Sequence, residues 1–110
     1  MWKSLGYITP TAGTPTRITA NETDPTRMFL AHSILIQQVR DNTGYILIGQ
    51  SGLNAGTGVD LDAVLPIPTT NSLPNATVGI SDSGNPFNCA EYYVDTTVNG
   101  DKVLVSVLVL

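Results

Sequence analysis

Apolar and β-branched residues recur along this chain in short runs, each bounded by Gly, Pro, Asn, Asp, Ser or Thr. Runs of that length and composition predict strands rather than helices. The pattern places them at Leu5–Thr9, Thr16–Ala20, His32–Val39, Tyr45–Gly49, Asp62–Ile67, Ala76–Ile80, Glu91–Thr96 and Lys102–Leu110. Turn signals separate them every 8–12 residues or so, the spacing of sandwiches and small barrels. Helix signals are nearly absent, because Thr, Val, Ile, Gly and Pro each disfavour a helix for a different reason. One short helical turn is expected in "NETDPTRMFLA", with Pro25 working against it. The expected fold is therefore all-β: an antiparallel sandwich of about eight strands, jelly-roll-like, with another sandwich topology equally open.

Two connections read as antiparallel hairpins. "DNTG" (Asp41–Gly44) joins "HSILIQQV" to "YILIG", and Asn99-Gly100 joins "EYYVDTTV" to "DKVLVSVLVL". The last strand is apolar on both faces, with Val103, Val105, Val107 and Val109 alternating with Leu104, Ser106, Leu108 and Leu110. It is expected either between two layers or under another subunit, since a long apolar edge would aggregate.

The 110 residues amount to a single domain, 1–110, with residues 1–13 as an extended arm. A chain of this size buries only about two-thirds of its unfolded surface, so oligomerisation would add stability. Charged residues make up 13% against 42% hydrophobic. The usual charged fraction is about 25%, and low charge with ordinary apolar content argues against disorder. The net charge is −4 and the five basic residues are scattered. No basic stripe exists to neutralise phosphates, which argues against nucleic acid as a partner. No apolar run reaches the roughly 18 residues of a membrane helix. "MWKSLGYIT" lacks the apolar region and cleavage site of a signal peptide, so a protein made and kept in a cytoplasm, or released by lysis, is expected.

Composition sharpens the search for chemistry mainly by elimination. "GQSGLNAGTG" resembles a phosphate loop, yet no lysine lies between Lys3 and Lys102, and Pro66 and Pro68 oppose the helix such a loop needs. It reads as a flexible loop between strands. "DTTVNGDK" groups Asp95, Asn99 and Asp101 around one turn. Thr97 and Ser106 stand where a calcium loop wants acid, so a solvated tip is expected over a cation site. His32 is the single histidine and Cys89 the single cysteine, which excludes an intrachain disulfide and leaves no nucleophile–base pair. Asp60 and Asp62 would share a strand face as surface acids. Of the adjacent Tyr92 and Tyr93, one faces the core and one faces out, and the outward one is a candidate partner contact with Trp2. "NET" and "NAT", at Asn21 and Asn75, match the glycosylation pattern and mark surface loops. No catalytic residues, metal ligands or cofactor are expected; the chain does not read as an enzyme.

The order of these segments resembles a known family. "PTRIT", then "ILIQQVRDNTGYILIGQSGLNAGTGVDL", then "EYYVDTTVNGDKVLVSVLVL" is similar to small bacteriophage virion proteins, the capsid cement or decoration proteins. The resemblance runs from about Thr16 to Leu110. The "L.PG" usual after the glycine loop is replaced by "VDLDAVLPIPTT" and a longer insertion to Asn75. The resemblance implies a homo-oligomer, trimeric by preference, that sits on the outer head surface of a virion and ties major capsid protein subunits together. In that picture Trp2, Leu5 and Tyr7 anchor the arm, while Leu108 and Leu110 close the oligomer. The rival reading is a head-fibre or tail-associated module that binds a receptor or glycan through "TTNSLPN" and "SDSGNPFN".

Overall fold

The computed structural model describes all residues except residue 55, residues 69–75 and residues 82–83. The described residues form nine strands: β1 Trp2–Ile8, β2 Thr16–Arg17, β3 Leu30–Gln38, β4 Ile46–Gln50, β5 Leu61–Leu65, β6 Thr77–Ser81, β7 Phe87–Asn88, β8 Tyr92–Thr96 and β9 Val103–Val109. A short 3-10 turn, Cys89–Glu91, precedes β8. The segment expected as a helical turn instead makes separate single turns, closed by Glu22 N–H to Thr19 O and Arg27 N–H to Asp24 O.

The strands form two antiparallel sheets, ordered β1-β9-β3-β6 with β7 also on β3, and β2-β8-β4-β5. Pairing runs from the outside of the chain inward: β1 with β9, β2 with β8, β3 with β6, β4 with β5. This is one long antiparallel hairpin rolled into two layers, the double-sheet jelly roll. The inward residues are those the alternation singled out. Ile34, Ile36, Val103, Val105 and Val107 from the first sheet meet Ile46, Ile48, Val94 and Leu65 from the second, all buried.

Rolling the hairpin corrects both hairpin expectations. β3 and β4 lie in different sheets, as do β8 and β9. Their connections, residues 39–45 and 97–102, are longer than a tight hairpin loop and bridge layers about 10 Å apart instead of strands about 5 Å apart. Polar turn residues tie these two arches to each other. Asn42 accepts the Lys102 N–H at 2.9 Å and donates to the Lys102 carbonyl at 2.6 Å and to Gln38 Oε1. Asp101 accepts the N–H groups of Thr43 and Gly44. The "solvated tip" is thus a knot: Asp101 is 5% exposed and Asp95 only 2%. Asp95 accepts Gly13 N–H, and Asn99 accepts Ala12 N–H, which fastens the β1–β2 connection to the same knot. These oxygens serve backbone donors, and among the described residues no group of three His, Cys, Asp or Glu is placed to hold a metal.

One further expectation changes. The N-terminal segment is extended but not a free arm, since β1 is an edge strand in register with β9 from Trp2↔Leu108 to Ile8↔Val103. β9 is consequently central and not an exposed apolar edge. The glycine loop joins β4 to β5, the one pair of consecutive strands among the described residues that bond each other. It is closed by Asn54 N–H to Val59 O and Gly58 N–H to Asn54 O, with Leu53 buried beneath it. Gly49 is required there, because a Cβ would lie 1.9 Å from the Asp60 carbonyl oxygen. Gly49→Ala should cost about 3 kcal/mol, read as a lower denaturant midpoint at constant slope, because backbone must move to make room. A loss under about 0.5 kcal/mol would show that the loop yields freely.

Candidate interaction surface

Strand alternation dictates the outer face of the first sheet. With Leu5, Ile8, Val103, Val105 and Val107 turned in, their neighbours turn out. The register sets them in three rows across β1, β9, β3 and β6. One row is Trp2, Leu108, Ser33 and Ser81; the next Ser4, Ser106, Leu35 and Gly79; the last Tyr7, Leu104, Gln37 and Thr77. None of these residues carries a charge. Trp2 is 54% exposed and Tyr7 53%, at the two ends of β1. Lys102 borders the face, its Nζ 4.6 Å from the Tyr7 ring centroid. Ser33 and Ser81 share a hydrogen bond of 3.2 Å across strands.

The edge beside this face is closed. Asn21 Nδ2 donates to the carbonyls of Leu5, at 3.1 Å, and Tyr7, at 2.8 Å, which would otherwise point outward from β1. Capping those acceptors blocks strand addition at that part of β1. The amide of the "NET" pattern thus has a structural use, while Asn75 lies outside the described residues.

The seven residues singled out as contacts divide. Trp2, Tyr7 and Leu108 share the uncharged face, and Leu110 is exposed just beyond it at the end of β9. Leu5 belongs to the core at 5% exposure and cannot anchor a partner. Tyr92 packs edge-on against Phe87, with ring centroids 5.7 Å apart, and supports the core. Burial, then the charges of Asp62, Cys89 and Glu91, raise its phenol pKa. Tyr93 faces out from the second sheet, opposite Arg17, whose guanidinium lies 5.0 Å from its ring centroid. Leu35 and Leu104 also belong to the first face, and sequence reasoning missed both. The alternation on β3 and β9 marks them as outward, but their shared surface appears only once those strands are known to be neighbours.

No protein-family model, curated protein or solved structure matches this chain.

The residues weighed for catalysis are scattered. Cys89 is fully buried and burial pushes its thiol up to about 11, so it stays protonated at neutral pH. His32 is half-buried in β3 where its register against β9 slips. Asp60 lies in the glycine loop at a φ of 54°, outside the strand that carries the exposed Asp62, so the two do not share a strand face. At the end of the sandwich away from the knot, a groove of about 490 Å³ runs between the β2–β3 connection and β1. The Lys3–Glu22 ion pair, 2.9 Å, and the exposed Met28 belong to its lining. The loops nominated for glycan contact fall largely on residues 69–75 and 82–83, outside the described residues.

Proposed function

We propose that this chain is a structural binding protein of a bacteriophage virion, a capsid cement or decoration protein that docks through the outer face of its first sheet. The observation that carries this reading is the uncharged face of Trp2, Tyr7, Leu35, Leu104 and Leu108 interleaved with Ser, Gly, Gln and Thr. Depletion of charge with exposed Trp and Tyr is the composition of an interface core. The order of sequence motifs and, by analogy at the level of fold alone, the jelly roll support the virion setting. Binding is the whole mechanism. A rigid sheet loses little conformational entropy on docking, and many symmetric copies convert modest contacts into avidity. The protein acts as a homo-oligomer, a trimer by the family resemblance, with major capsid protein as partner.

The double variant Trp2→Ser/Tyr7→Ser tests the face. Both side chains are exposed, so the thermal midpoint should hold within a few degrees while capsid co-sedimentation weakens at least about tenfold. Undiminished sedimentation would move the contact elsewhere. Quantitative mass spectrometry of purified virions tests the setting: a copy number comparable to that of the major capsid protein is expected, and absence from virions would overturn it.

A further inference from the structure

The second sheet carries a recess of about 430 Å³ at the end of β4, lined by Arg17, Gln50, Ser51, Glu91 and Tyr93. That volume falls in the range of small-molecule sites. Three neighbouring strands build it. Arg17 on β2 is in register with Tyr93 on β8, and Gln50 at the end of β4 is in register with Tyr92. Glu91 comes from the 3-10 turn that leads into β8. We propose that this recess binds a neutral saccharide.

The lining chemistry selects that class. The charges are one guanidinium and one carboxylate, so an anion would meet Glu91 and a cation would meet Arg17. A polyhydroxyl ligand opposes neither, because each hydroxyl both donates and accepts. Arg17 and the Gln50 amide supply donors; Glu91 and the Gln50 carbonyl oxygen supply acceptors; Ser51 supplies either. Tyr93 adds an aromatic ring beside them, a surface for the C–H face of a pyranose. The guanidinium is held before any ligand arrives. It stacks on Tyr93 at 5.0 Å and donates through one Nη to the Ala90 carbonyl, which leaves its other N–H groups in a fixed fork. Pre-ordering of a long side chain reduces the entropy lost on binding. The lining holds a single carboxylate, whereas glycoside hydrolysis ordinarily takes two, so the recess would bind without cleaving. It lies on the sheet opposite the proposed docking face, and a copy docked by its first sheet would present it to the medium.

The test uses the isolated full-length protein, labelled with nitrogen-15. It is titrated with methyl α-mannoside, methyl β-galactoside, N-acetylglucosamine, lactose and sialyllactose while amide shifts are followed. Saturable shifts with at least one neutral sugar, centred on Arg17, Gln50, Ser51, Glu91 and Tyr93, are expected. Gln50→Ala, at an exposed strand end, should weaken that binding about tenfold with an unchanged thermal midpoint. Arg17→Lys should weaken it similarly by losing the fork while keeping the charge. No saturable shift with any sugar, response to sialyllactose alone, or binding indifferent to both substitutions would each overturn the proposal. Failure of capsid docking would not, since no capsid enters this experiment.

Discussion

Removal of Met1–Gly13 should unfold the protein and not merely release it from a partner. β1 places Leu5 and Ile8 in the core, at 5% and 2% exposure. Losing two such side chains costs about 4–10 kcal/mol by the usual large-to-small scale. A whole domain of this kind has about 5–15 kcal/mol of net stability. The ladder from Trp2↔Leu108 to Ile8↔Val103 would go as well, leaving one edge of β9 unpaired. That strand is apolar on both faces, so it would become the aggregation-prone edge that β1 now conceals. Ala12 and Gly13 would also leave, and with them two backbone donors held by Asn99 and Asp95. Circular dichroism and size-exclusion chromatography decide the matter. A truncated chain that elutes as a folded, monodisperse species would mean that β1 is an accessory arm after all.

The second large effect is expected at Asp101. Its carboxylate reaches Gly44 N–H at 2.7 Å and Thr43 N–H at 3.1 Å, and so clasps the β3–β4 arch to the β8–β9 arch. Alanine would leave two backbone donors without an acceptor where Gly44 is buried. An unsatisfied buried donor costs about 1–3 kcal/mol, and bonds to a charged acceptor lie at the strong end, while the exposed Thr43 N–H can turn to water, so a loss of about 3 kcal/mol is expected in urea unfolding. Asp101→Asn keeps one acceptor oxygen and should lose about half as much. A loss below about 1 kcal/mol for the alanine variant would mean that the arches hold together without the clasp. Gly44 shares in this packing. A Cβ there would stand 2.4 Å from Thr97 Oγ1 and 2.8 Å from Val98 Cγ2, so the arches meet at a distance that only glycine permits.

These residues also show how far the sequence could be read. Asn42, Asp101 and the Asn99-Gly100 pair were legible as turn formers, and turns are what they make. The side chains of Asn42 and Asp101, however, satisfy the backbone of the other arch, some 60 residues away, and a local turn motif carries no trace of that. Burial of Asp95 was equally hidden, since an acidic residue in an Asn- and Gly-rich stretch ordinarily faces water. Of the candidate interface, Trp2, Tyr7 and Leu108 were legible as large apolar or aromatic residues, but nothing in the sequence set them apart from Leu5, which is buried. The recess of Arg17, Gln50, Glu91 and Tyr93 was not, because its members lie far apart in sequence and converge only through the order β2-β8-β4. The two-residue β7 gave no signal, being too short for alternation to register.

Hydrophobic alternation alone determined that this chain is all-β, where its main strands lie, and which residues of an unbroken strand share a face. Those follow from a period of two and from the transfer of apolar side chains out of water, both local in origin. The partner of each strand was decided by the tertiary structure. Alternation records that a face is buried and is silent about what buries it. The same Asn-Gly chemistry serves a turn within a sheet or an arch between sheets. Only the closing of the rolled hairpin, with β1 on β9 and β3 beside it, assembled the uncharged face and set the polar knot beneath the arches.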